Sequence, residues 1–281
     1  MSQYTDFSYV YDLFMDNVPY KLWAFEIIRI LNENGIEDGL VLDLGCGTGT
    51  LTRLLADRGG YDMIGVDSSE DMLAVARDNI MNPGIFSVSS GDESENDGPL
   101  TWEEIDSLLN DEESTENNIL YLCQDISEFE LYGTVRAVVS TCDTFNYVTE
   151  PEKLLKTFKL VNNYIESDGV FIFDMNAPEK YEEVLTDNVF AENREEASFI
   201  WENSFDKDSR INEYALTLFI KDEETGLFEK SEEFHYQRAY TREEIAKLLD
   251  EAGFEIIDRT EKDMRMFYVC KVIEGRKLGN Y

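Results

Sequence analysis

The chain is 281 residues long and 43% hydrophobic, which is enough to bury a complete α/β core together with an additional element. It carries 60 Asp and Glu residues against 24 Lys and Arg, and the formal net charge of −36 at pH 7 would repel a nucleic acid, so no nucleic-acid partner is expected. No apolar run approaches the roughly 20 residues of a membrane helix, and the first residues lack the pattern of an export signal, which predicts a cytoplasmic protein without a membrane partner.

Residues 1–39 precede the first predicted strand and are rich in aromatic side chains. The apolar spacing between Tyr20 and Leu31 predicts an amphipathic helix that packs one face against a sheet. We therefore expect a helical segment ahead of the first strand.

Residues 40–49 place an apolar run directly before three glycines that are spaced two apart. The run predicts a buried parallel strand, and Gly45, Gly47 and Gly49 would let the main chain adopt conformations and close approaches that a Cβ atom forbids. A dinucleotide fingerprint, Gly-x-Gly-x-x-Gly, would need its third glycine at position 50, which is Thr. The spacing therefore predicts a cofactor loop and argues against NAD.

Asp67 ends the next apolar segment and precedes a predicted helix that contains Met72. A carboxylate at this position would accept hydrogen bonds from the two hydroxyls of a ribose, in NAD enzymes as well as in others. Asp67 therefore indicates an adenosine cofactor, but it does not distinguish NAD enzymes from other enzymes with such a cofactor. The alternative for Asp67 or Ser68 is a helix N-cap.

The pattern Asp-x-Gly-x-Gly-x-Gly, followed in order by the acidic end of the second strand, resembles the class I S-adenosylmethionine (SAM) dependent methyltransferases, in particular bacterial members that act on small molecules. The resemblance implies that SAM lies on the glycine loop, that Asp67 binds its ribose and that Met72 flanks its adenine. Ser68, beside Asp67, is a further candidate for cofactor binding. The loop residues that it implicates are Asp43, Gly45, Cys46, Gly47 and Gly49.

Two later strand ends fit the same family pattern. Residues 119–123 lead to Asp125 and Ile126, which the resemblance places beside the adenine, although Asp125 could simply begin a turn. Residues 135–139 lead to a loop that faces the methyl group of the cofactor in related enzymes. This loop contains Cys142 and Asp143.

The aromatic N-terminal segment resembles the helices that close over the cofactor in such enzymes. The resemblance makes residues 1–39 an N-terminal helical cap and makes Tyr11 and Trp23 candidates for SAM contact. Ordinary packing against the sheet is the alternative for both side chains.

The alternation of strands and helices predicts the fold class, an α/β protein with a Rossmann-like, seven-stranded, mostly parallel sheet and helices on both faces. The last two strands, near residues 253–257 and 266–270, are expected to form an antiparallel closing pair. The SAM-binding core would comprise residues 40–196 and 241–281. Ligands of such sheets bind at the carboxyl ends of the strands.

Residues 197–240 break this alternation, since three strand-like runs are separated by polar turns. We expect an antiparallel β insert, which resembles the substrate-covering lid of small-molecule methyltransferases. Candidate residues of a substrate pocket are Trp201, Tyr214, His235 and Arg238. A lone histidine on a strand is more often structural.

Residues of about 82–118 form a predicted acidic insertion in the core, and from 91 to 116 they include eleven Asp or Glu residues and no Lys or Arg. Such a run is normally a solvated loop. The pattern of a calcium loop is missing, and the four cysteines and one histidine lack the usual zinc spacing. No metal site is predicted.

Together these observations predict a SAM-dependent methyltransferase that transfers a methyl group to a small-molecule acceptor by in-line displacement. If a base is required, Asp143 is favoured by position and His235 is second. A noncatalytic SAM-binding partner module and an NAD-linked oxidoreductase are the alternatives. The acceptor, its target atom and the oligomeric state stay open.

Overall fold

The protein is represented by a computed structural model that describes residues 6–81 and 118–279, so the predicted acidic insertion lies outside the described residues apart from its last position. The helices are α1 Tyr11–Phe14, α2 Tyr20–Glu33, α3 Thr50–Gly59, α4 Glu70–Met81, α5 Pro151–Tyr164 and α6 Arg242–Glu251. The strands are β1 Leu40–Leu44, β2 Asp62–Asp67, β3 Ile119–Cys123, β4 Val135–Ser140, β5 Ile165–Asn176, β6 Val189–Asn193, β7 Ala197–Asp206, β8 Ile211–Lys221, β9 Phe228–Arg238, β10 Phe254–Lys262 and β11 Arg265–Val272.

Seven strands form one sheet in the order β3-β2-β1-β4-β5-β11-β10. β1 pairs in parallel with β2 and with β4, β4 pairs in parallel with β5, and β11 runs antiparallel to both β5 and β10. The Rossmann-like, mostly parallel sheet predicted from the sequence is confirmed. The order reverses between β1 and β4, and a crevice for a ligand opens at such a point, at the carboxyl ends of the strands.

Both faces of this sheet are covered, as the apolar runs of its strands require. Val41 faces a cluster that includes the buried side of α2 and α3, whereas the adjacent Leu42 faces a cluster built with α5 and α6. Because successive side chains of a strand point to opposite faces, β1 supplies both halves of the core.

The second sheet is antiparallel and has the order β6-β7-β8-β9. It contains one strand more than the three predicted runs, because β6 begins at Val189, ahead of the predicted boundary at residue 197. Phe190 of this added strand packs against Trp201 of β7, with ring centroids 5.6 Å apart. The aromatic pair on the inner face explains why this short run joins the sheet.

The segment from the 3₁₀ helix Asp6–Tyr9 through α1 contacts both the core and the second sheet. On the core side, the Thr48 hydroxyl donates to Asp12 at 2.7 Å. On the other side, Arg194 donates to both carboxylate oxygens of Asp16, at 2.7 and 2.9 Å, and to the carbonyl of Leu13. Within the ranges described above, no helix is long and apolar enough to cross a membrane.

Candidate active site

The glycine loop after β1 takes a backbone path that requires glycine. Gly45, Gly47 and Gly49 have φ angles of 74°, 54° and 75°. A Cβ atom on Gly49 would lie 2.1 Å from the Tyr121 hydroxyl, whereas a Cβ atom on Gly47 would meet no atom within 4 Å. Gly49 is thus required by packing, and Gly47 exposes bare backbone to the space above the loop.

That space is a cavity of about 570 Å³ at the carboxyl ends of the parallel strands. Its volume lies within the range of about 300–1,000 Å³ that is usual for ligand pockets. Nine of the residues predicted to contact a cofactor line it, namely Tyr11, Gly45, Gly47, Asp67, Ser68, Met72, Asp125, Ile126 and Cys142.

Asp67 stands at the end of β2 and connects two loops. Its carboxylate accepts hydrogen bonds from the backbone N–H groups of Gly47 and Ser69, both at 2.9 Å. Burial raises the pKa of Asp67, and the backbone donors oppose this effect. Each carboxylate oxygen can accept a further hydrogen bond, so the group can hold the glycine loop and still accept from a ligand hydroxyl.

Three predicted loop residues support the cavity without lining it. Asp43 is buried beneath the loop, where it accepts a hydrogen bond from the Thr52 hydroxyl at 2.6 Å. Burial, together with the nearby charge of Asp67, raises the pKa of Asp43 to about 7, although the Thr52 hydrogen bond opposes the shift. Cys46 packs toward the apolar contact between α4 and β3, and Gly49 precedes the first residue of α3.

Trp23 differs from its predicted position. It lines a second cavity instead of the first, and the Arg265 guanidinium lies over its ring at 5.3 Å from the centroid. The docking of α2 therefore directs Trp23 away from the cofactor-sized cavity.

The second cavity, of about 320 Å³, is bounded by the N-terminal segment, the loop after β4 and the inner face of the second sheet. It shares three lining residues with the first cavity: Tyr11, Cys142 and Tyr147. Three of the candidates for a substrate pocket, Trp201, Tyr214 and His235, line it, together with Lys180 and Gln237, which the sequence did not single out.

Arg238 does not line this cavity. Its guanidinium lies over the Tyr240 ring, 5.3 Å from the centroid, and 3.7 Å from a carboxylate oxygen of Glu244. His235 and Arg238 are three positions apart on β9, so the alternation of a strand sends their side chains to opposite faces.

Asp143 is fixed by three different parts of the chain. Its two carboxylate oxygens accept from Arg265 at 3.0 Å and from the Gln237 amide at 2.6 Å. Its backbone N–H donates to Asp174 at 2.7 Å, and Arg265 also donates to Asp174, at 2.8 Å. Although burial lowers the pKa of Arg265, the charges of Asp174 and Asp143 raise it overall, so this guanidinium stays charged.

His235 is paired with a carboxylate beside the second cavity. Its Nε2 atom lies 3.2 Å from Glu233, and the other oxygen of Glu233 accepts from the backbone N–H of Phe7 at 3.1 Å. The ring of Tyr147 meets the imidazole edge-on, with centroids 6.3 Å apart. These contacts hold the orientation of the imidazole.

Comparison with known proteins finds relatives that are all described as methyltransferases. Residues 41–107 match a family model described as a methyltransferase domain. A protein of Geobacillus sp. (strain WCH70), provisionally named a methyltransferase, is 28% identical over 278 residues, which are 95% of this chain and 99% of that protein. Methyltransferase YqeM of Bacillus subtilis (strain 168), also a provisional name, is 29% identical over 254 residues, which are 90% of this chain and 87% of that protein.

A solved structure is similar over nearly the whole chain. The crystal structure of a SAM-dependent methyltransferase from Clostridium acetobutylicum ATCC 824 has a TM-score of 0.74 and 29% sequence identity, and the match covers 95% of this chain and 98% of that one. These relatives favour neither an NAD-linked oxidoreductase nor a noncatalytic module. The open backbone at Gly47 and the carboxylate of Asp67 also fit an adenosyl cofactor. The comparisons therefore support SAM as the cofactor and class I SAM-dependent methyl transfer as the activity of this chain.

Proposed function

We propose that the protein methylates a small-molecule acceptor that binds in the second cavity, and that the methyl group passes between the two cavities at Tyr11, Cys142 and Tyr147. The observation that carries this proposal is the wall that the two cavities share. A volume of about 320 Å³ suits a small molecule better than a folded macromolecule.

The first cavity would hold SAM, which supplies an electrophilic methyl group when it is bound. Asp67 would accept from the ribose hydroxyls, Met72 and Ile126 would flank the adenine, and the backbone at Gly47 would lie along the cofactor. Asp125 already accepts from the backbone N–H and the hydroxyl of Ser127, both at 2.7 Å, so its second oxygen is the one directed to a ligand in this proposal.

The second sheet and the N-terminal cap would close the acceptor site as a lid. Arg194 joins the sheet to α1, and the backbone of Phe7 donates to Glu233 of β9, so the two elements are connected at both sides of the cavity. Excluding water and aligning the acceptor with the methyl group would then be the main contributions of the protein.

The contacts change the order of the two base candidates. Both oxygens of Asp143 already accept hydrogen bonds, one from the Gln237 amide and one from the Arg265 guanidinium. With the Nε2 proton directed to Glu233, the lone pair of His235 is on Nδ1. We therefore propose that Asp143 positions the loop and that His235 takes a proton where the acceptor must lose one.

The cytoplasm is the compartment that we propose. The four cysteines, Cys46, Cys123, Cys142 and Cys270, are all free thiols, which is the state that a reducing compartment maintains.

The proposal is tested by filling the second cavity alone. Leu216→Trp adds bulk to a buried lining residue, and we expect SAM affinity by calorimetry to stay within about threefold while S-adenosylhomocysteine (SAH) formation with a metabolite library is lost. Asp67→Ala is the matched change in the first cavity and should weaken SAM binding by about 1.5–3 kcal/mol. Unchanged turnover in the Leu216 variant would refute the placement of the acceptor.

A further inference from the structure

Lys180 is a partly buried cation in the wall of the second cavity. Its ammonium group donates one hydrogen bond, to the Asn176 side chain at 2.9 Å. Among the described residues, no carboxylate oxygen lies within 4.0 Å of this ammonium group. An ammonium group has three donors, so two remain for other partners. Burial lowers the pKa of Lys180, and the charges of Asp143 and Asp174 oppose that shift.

The carboxylates around this cavity already have a donor on every oxygen. Asp143 accepts from Arg265 and Gln237, and Asp174 accepts from Arg265 and from the backbone of Asp143. The two oxygens of Glu233 face the Phe7 N–H and the His235 ring. The cavity therefore offers unused donors at Lys180, while the negative charges of Asp143 and Asp174 are already paired with Arg265.

Most of the remaining lining is aromatic or aliphatic and fits an apolar body. Aromatic rings of the cap and of the second sheet surround the space, and several meet edge to face, as Trp201 and Tyr214 do at a centroid distance of 5.0 Å. Partly buried donors next to such rings are best satisfied by a ligand that carries an anionic oxygen on an apolar frame.

We propose that the acceptor is an organic acid with an aromatic or similarly apolar body, and that Lys180 holds its carboxylate. This assignment rests on the proposed function, since it places the acceptor in the second cavity. An amine acceptor would bring an ammonium group close to Lys180 and Arg265, where the carboxylates of Asp143 and Asp174 are already paired with the Arg265 guanidinium. The net charge of −36 does not oppose an acid at this position, because charges beyond about 8 Å are largely screened at physiological salt.

The experiment measures binding to SAH-saturated protein, so that catalysis is not needed. The probes are phenylacetate, 4-hydroxyphenylacetate and indole-3-acetate, each compared by calorimetry with its primary amide and with the matched amine: phenethylamine, tyramine and tryptamine. For the wild type we expect at least one acid to bind about tenfold or more tightly than its amide and its amine. Lys180→Met should reduce this preference below threefold, whereas Lys180→Arg should retain most of it.

Lys156→Met removes the same charge from an exposed residue that pairs with Glu128, and it should leave the preference unchanged. The inference is overturned if no acid binds, if acids bind no better than amides or amines, or if the preference persists in Lys180→Met. Failure of the wild type to bind SAH would count against the proposed function itself. SAH binding without any preference for acids would count against the role of Lys180 alone.

Discussion

Asp43 makes the stability of the cofactor loop depend on pH. Its pKa is raised from 3.8 to about 7, mainly by burial, so the folded protein binds this proton more tightly than the unfolded chain does. The resulting stabilisation is complete below about pH 4 and is lost as the pH rises through about 7. Between pH 5 and pH 8 the ionisation of this one group should cost about 2–3 kcal/mol of unfolding free energy.

Asp43→Asn removes the ionisation and keeps an oxygen that can accept from Thr52. Urea unfolding of both proteins at several pH values between 5 and 8 isolates the effect, because the other titrating groups are common to the two. We expect the variant to gain about 2–3 kcal/mol relative to the wild type over this interval. Parallel stability curves for the two proteins would refute the argument that Asp43 is buried without a compensating charge.

Three further changes probe other contacts. Gly49→Ala should destabilise the protein more than Gly47→Ala. The Cβ atom added at Gly47 has no neighbour within 4 Å, so this variant should lose about 1–2 kcal/mol through its positive φ alone. Equal losses for the two variants in thermal melts would contradict the packing difference. Arg265→Met leaves the buried carboxylate of Asp174 and the partly buried one of Asp143 without their cation. Chemical denaturation should show a loss of about 3–5 kcal/mol, and a loss below 1 kcal/mol would be inconsistent with this pairing. Asp12→Ala removes the contact of α1 with the core and should weaken SAM binding about tenfold. The control, Asp16→Ala, removes a contact with the second sheet and should change SAM affinity less. Equal effects of the two variants would show that Asp12 has no specific role in holding α1 at the cofactor cavity.

The elements that depend on local patterning were predictable. The apolar runs and the glycine spacing indicated β1, its loop and β2, because a buried strand and a tight turn each leave a short-range signature. Asp67 follows from the same logic, since it is the first polar residue at the end of a buried strand. The predicted fold class is confirmed. It was predictable because each strand of the sheet could be recognised from such local information.

The acceptor side was less predictable, since its residues meet across long stretches of chain. Arg265 lies 122 residues from Asp143 and 91 from Asp174, and nothing local marks it as their partner. The orientation of Trp23 depends on how α2 docks, which periodicity does not specify. Strand alternation, by contrast, could have paired Gln237 with His235 on one face of β9 and excluded Arg238.

The contacts of the N-terminal cap couple ligand binding in the two cavities. Tyr11 lines both cavities, and its neighbour Asp12 fixes α1 to the glycine-loop side. Any displacement of α1 therefore alters both cavities together, and a ligand that holds Tyr11 in place in one cavity favours the closed form of the other. Thermodynamic linkage makes this effect reciprocal: the factor by which SAM tightens acceptor binding must equal the factor by which the acceptor tightens SAM binding.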